Sequence, residues 1–111
     1  VINIRIEDTY EKAVESASPG HDEFWKFLGP YGWSKGYMGP DGKPSPMGLI
    51  PTLEESIEQH IWNVGTPEQV AEKVQAFVDA GCREFVLWFR DYPSGDSLEA
   101  FAREVVPLVR G

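Results

Sequence analysis

"NVGTPEQVAEKVQAFVDAGCREFVLWF", residues Asn63 to Phe89, reads as a helix followed by a strand, and that order decides the fold class. Thr66 is a suitable N-cap, and Pro67 takes the first helical position, where its missing N–H costs nothing. Gln69 stands where a capping box needs it, so the helix is expected to start at Pro67. Val70, Val74, Phe77 and Val78 share one helical face, while Glu68, Glu72, Lys73 and Asp79 turn to water. Gly81 stands at the left-handed position that ends such a helix. From Phe85 to Phe89 the chain is apolar without interruption, which suits a strand covered on both faces and therefore a parallel sheet.

The same grammar extends outward. "VINIRIED" alternates Ile2, Ile4 and Ile6 with Val1, Asn3 and Arg5, as a strand does. Asp8 and Glu11 have the spacing of a capping box for a helix through Tyr10, Ala13, Val14 and Ala17. Ser18-Pro19-Gly20 is expected to interrupt that helix, and "HDEFWKFL" to resume it with Trp25 and Leu28, or Phe24 and Phe27, turned inward. Residues 29–51 hold six glycines and five prolines and read as a long loop, since neither regular element survives that density. Thr52 with Glu55 caps a helix carrying Leu53, Ile57 and Ile61. Asp96 with Glu99 caps another carrying Leu98, Phe101, Ala102 and Val105, ended by Pro107. Strand, helices, loop, helix, strand, helix is the order of an α/β protein with parallel strands.

Composition narrows the function classes. The net charge is -8 and the isoelectric point near 4.6, so a general attraction to nucleic acid or to an anionic membrane is excluded as an expectation. No apolar run of membrane-spanning length and no leader sequence is visible. Cys82, the single cysteine, has no partner for an internal disulfide and points to a reducing, cytoplasmic compartment, where it reads as a small core residue. His21 and His60 are far apart and no Cys/His ligand spacing exists, so no metal is expected. No pair of carboxylates is marked out as general acid and base, and no dinucleotide or P-loop motif is present.

"WNVGTPEQVAEKVQAFVDAGCREFVLWF", followed by "SLEAFAREVVPLVR", resembles the C-terminal end of the luciferase-like oxidoreductases, which depend on flavin or on the deazaflavin F420 and fold as (β/α)8 barrels. "VINIRIEDTYEKAVESA" is similar to that family's seventh strand and following helix, and 29–51 falls where its members carry a variable insertion near the active site. Gly65-Thr66-Pro67-Glu68, with its spacing to Gly81 and Pro107, is the most specific part of the likeness. The resemblance implies that residues 1–111 are the last quarter of a TIM barrel, about two βα units plus the insertion, in an enzyme roughly three times as long. The start at Val1, without a methionine, fits a piece of something longer. In that reading FMN or F420 belongs to the complete protein, and the segment alone binds neither and does not catalyse.

A barrel of this kind places its active site at the carboxyl ends of the strands, which directs attention to Glu7 and Asp8 and to Trp88 through Asp91. Arg90 has the fork of donors that a cofactor phosphate or an anionic substrate requires; the competing reading is an ion pair with Asp91 or Glu7. Trp88 either stacks on a flavin ring or packs in the sheet. The amides at Gly65 and Thr66 either bind a phosphate or are satisfied by the cap. Tyr31, Trp33 and Tyr37 either form a lid that keeps water from the substrate or anchor the loop to the barrel. The partners implied are a small-molecule substrate and the rest of the barrel, or a second copy, because two parallel strands leave edges unpaired. The competing class is a noncatalytic α/β module that self-associates or binds a protein.

Overall fold

The computed structural model describes residues 1–28, 52–91 and 93–111. The Gly/Pro-rich stretch 29–51, with Tyr31, Trp33 and Tyr37, lies outside the described residues. In chain order the elements are β1 (Ile2–Ile6), α1 (Tyr10–Leu28), α2 (Leu53–Glu58), β2 (Trp62–Gly65), α3 (Pro67–Asp79), β3 (Leu87–Phe89) and α4 (Asp96–Ala100). A π-type segment (Phe101–Val105) and a 3-10 turn (Val106–Leu108) continue α4. None of the described helices is long and apolar enough to cross a membrane.

All three strands are parallel, in the order β2-β1-β3. Asn3 lies beside Trp62 and Ile6 beside Gly65 on one flank of β1, while Ile2 lies beside Leu87 and Ile4 beside Phe89 on the other. The pairing of the first and last strands follows the sequence expectation, but β2 does not: the sequence read two strands. "WNVG" is four residues long, abuts a helix cap and includes Asn and Gly, which are poor strand formers, so it shows no strand period. Burial against helices on both sides holds it extended.

Alternation along the strands sorts the core into two halves. Ile2, Ile4 and Ile6 meet Val70, Ala71 and Val74 of α3, together with Val105. Trp62 and Val64, which the register puts on the opposite face, meet Ala13 and Ala17 of α1 with Leu53 and Ile57 of α2. Helices therefore cover both faces of the sheet. A closed barrel keeps consecutive strands adjacent and its helices outside; here β3 takes the edge of β1 instead of that of β2.

Individual elements depart from the sequence reading for local reasons. α1 runs through Ser18-Pro19-Gly20 without a break. Ala13, Ala17, His21 and Trp25 recur every fourth residue and are all at most 4% exposed, so the buried stripe stays in phase across Pro19 and packing outweighs its lost hydrogen bond. Thr9, not Asp8, caps this helix, its Oγ1 accepting from the Lys12 amide at 3.2 Å. The Thr52 cap forms as expected, but α2 stops at Glu58, and Ile61 joins the same cluster from the segment beyond. Asp96 is the first residue of α4 and not its cap: Ser94 Oγ accepts from the Asp96 amide and Asp91 Oδ2 from the Ser97 amide. Ser97 and Val105 are buried there, whereas Leu98 and Ala102 are exposed, and Pro107 lies within the 3-10 turn.

β3 is shorter and barer than its sequence suggests. Phe85, Leu87 and Phe89 pack on the α3 side, but Val86 is 58% and Trp88 47% exposed. β3 is an edge strand, and α1 and α2 sit mainly over the β2 half, so among the described residues its second face is only partly covered, with Phe24 reaching Trp88. Cys82 is likewise not a core residue: it is half-buried, with Sγ 3.2 Å from the Glu84 carbonyl oxygen.

α3 matches its sequence closely. Thr66 Oγ1 accepts from the Gln69 amide at 3.3 Å and Gln69 Oε1 accepts from the Thr66 amide at 3.0 Å, completing the capping box. Gly81 follows the C-cap with φ of 101°, a conformation that side chains disfavour. Lys73 is less open to water than expected, and burial lowers its pKa against the opposing pull of Glu72. Thr66→Ala is expected to cost about 1 kcal/mol in urea unfolding. An unchanged midpoint would show that the cap bond contributes nothing.

Candidate functional site

Across the three strands one row of side chains faces α1: Trp62 from β2, Asn3 from β1 and Trp88 from β3, each in register with the next. Arg90 follows Trp88 by two residues and so shares its face. Its backbone N–H donates to the Ile4 carbonyl, which seats the residue just past the end of β3. From there the side chain turns back along the sheet, and Nε donates to Asn3 Oδ1 at 2.6 Å. Asn3 is held in turn by its Nδ2, which donates to the Ile61 carbonyl.

Aromatic rings enclose the guanidinium. Its Cζ stands 4.7 Å from the centroid of Phe24, 4.8 Å from Trp88 and 5.3 Å from Trp62. Such contacts stabilise a cation that has lost water. Burial still pulls the Arg90 pKa below its usual value; an arginine remains charged all the same. Arg90 Nη2 and Trp62 Nε1 are both shielded from solvent and have no hydrogen-bond partner among the described residues.

The structure places Arg90 against Trp88, and the ion pair with Asp91 or Glu7 that the sequence offered as the competing reading is not among those of the described residues. Glu7 pairs with Arg5 at 2.8 Å, and Arg5 Nε also reaches Ser16 Oγ. Asp91 turns to the Ser97 amide, leaving its Oδ1 buried and unpartnered. Asp8 is exposed. Gly65 and Thr66 serve the capping box, which occupies the Thr66 and Gln69 amides. Asn3, Phe24 and Trp62 were not singled out by the sequence, because only the strand register and the approach of α1 bring them to Arg90.

A second polar cluster lies behind this one. His21, 1% exposed, has Nε2 at 2.8 Å from Ser56 Oγ and 3.1 Å from Trp25 Nε1, with Nδ1 3.5 Å from Asp22 Oδ1. An indole N–H only donates, so Nε2 accepts and the ring proton belongs on Nδ1, towards Asp22. With its basic nitrogen already engaged and Ser56 fully buried, the cluster ties α1 to α2 and does not activate the serine. Among the described residues no group of three or more His, Cys, Asp and Glu could hold a metal ion.

No family model matches the chain, and no curated protein matches it in sequence. Its fold does match a solved structure: a Type II Baeyer–Villiger monooxygenase, the oxygenating constituent of 3,6-diketocamphane monooxygenase from the CAM plasmid of Pseudomonas putida, in complex with FMN. The match covers 98% of this chain with a TM-score of 0.66 and 23% identity. The chain spans 32% of the length of that one. At this identity the likeness is one of fold.

Proposed function

We propose that residues 1–111 form the C-terminal part of a luciferase-like, flavin-dependent oxidoreductase or monooxygenase of the cytoplasm, a (β/α)8 barrel that is catalytic only when complete. The observation that carries this reading is the fold shared along nearly the whole chain with part of an FMN-bound monooxygenase. It agrees with the resemblance of the Gly65-Thr66-Pro67-Glu68 unit and its flanks. FMN, or F420 in its place, would supply the hydride or oxygen-transfer chemistry. The chain's own residues fit the wall of such a site: Trp88 offers a half-exposed indole face at a strand end, and Arg90 beside it offers a fixed positive charge. The remaining strands are the partners that this reading requires, since among the described residues β2 and β3 each end the sheet with an open edge.

The test is cofactor binding by the protein with the rest of its reading frame. FMN or F420 should bind that protein in fluorescence titrations and leave residues 1–111 alone unaffected. A complete protein that binds neither would overturn the reading.

One observation favours a second reading, a noncatalytic α/β module that self-associates. Helices on both faces, with β1 between β2 and β3, give the sheet a core that needs no barrel around it. A reading frame confined to these residues would decide for the module.

A further inference from the structure

We propose that Arg90 and Trp62, backed by Asn3 and walled by Trp88 and Phe24, form a receptor for the carboxylate of a flat, apolar ligand. The proposal rests on the flavin reading only in making that ligand the enzyme's substrate. The receptor itself stands on this chain's geometry.

The chain carries 18 acidic residues against 10 Lys and Arg, yet among the described residues the Arg90 guanidinium has no carboxylate partner. Among the described residues Arg5 pairs with Glu7. A shielded cationic donor without an acceptor is costly to keep, and native structures rarely do so without a use. Here a second donor, Trp62 Nε1–H, is left in the same condition, on a ring whose centroid is 5.3 Å from the guanidinium carbon.

The planar donor edge and the rings around it suit a flat anion. Nε is already engaged by Asn3, which fixes the guanidinium, while Nη2 with its two N–H groups and the Trp62 indole N–H are shielded and unpartnered among the described residues. A carboxylate has two oxygens to satisfy and fits the planar edge of a guanidinium. The apolar body of the ligand would lie on Trp88, which is 47% exposed on a three-residue edge strand. Stacking of a flat ring on that indole is the contact an aromatic side chain makes best.

Benzoate, benzamide and phenyl phosphate test this without any variant. Benzoate should bind saturably and shift the Trp62 indole N–H resonance, with benzamide at least about tenfold weaker, because only the anion sets a negative charge against the guanidinium and accepts through both oxygens. Arg90→Lys, which removes the fork, and Trp62→Phe, which removes one donor and keeps a ring, should each weaken benzoate about tenfold. Equal affinity for benzoate and benzamide, tighter binding of phenyl phosphate, or an unaltered Arg90→Lys protein would each overturn the carboxylate receptor. A complete protein that bound no flavin would leave a positive benzoate result standing, so the two failures are distinguishable.

Discussion

Trp62→Ala should lower the unfolding free energy by about 3–5 kcal/mol, the usual loss when a large aromatic is removed from a core. Trp62 is fully buried although its strand is only four residues long. It contacts His21 and Phe24 edge to face at centroid distances of 5.2 and 5.9 Å, and it belongs to the cluster that joins α1 and α2 to the sheet. Its loss would open a cavity where those elements meet, and a domain of ordinary stability has only about 5–15 kcal/mol in all. Urea unfolding followed by circular dichroism checks it. Trp62→Phe should cost much less, since a ring is kept and the unpartnered indole N–H disappears. A loss below about 1 kcal/mol for the alanine variant would mean that this face of the sheet is not packed as described.

Asn3→Ala should cost about 2–3 kcal/mol, more than its small side chain suggests, because it strands a charge. Asn3 is 2% exposed, and its Oδ1 is the acceptor that Arg90 Nε finds among the described residues. Without it neither Nε nor the shielded Nη2 would have a hydrogen-bond acceptor among the described residues. Replacing the charge as well should restore stability: in Asn3→Ala/Arg90→Met no stranded cation remains, and the double variant should be more stable than Asn3→Ala alone. Strictly additive losses in that double-mutant cycle would show that the two side chains are not coupled.

The capping box at Thr66 and Gln69, the helix it opens and the left-handed Gly81 were legible in the sequence because their causes are local: a hydroxyl three residues from an amide, a proline at the first turn, a glycine after the last. The parallel pairing of the first and last strands was expected too, from the barrel that the family resemblance implies. Trp88 and Arg90 could be named from their place at the end of the second run.

What local rules could not supply, tertiary structure decided. α1 continues through Pro19 because a stripe of four buried residues lies against the sheet, and no propensity contains that sheet. β2 exists because neighbours on three sides extend and bury four residues that have no strand pattern of their own. The partner of Arg90 is Asn3, 87 residues away, in place of the adjacent Asp91 or the acidic Glu7. Charge alone favours the carboxylates, but register puts Asn3 between Trp62 and Trp88 on the face that Arg90 shares, while Glu7 is taken by Arg5 and Asp91 by the amide of Ser97. A side chain meets what the register of the strands places within its reach, and register is a property of the assembled sheet.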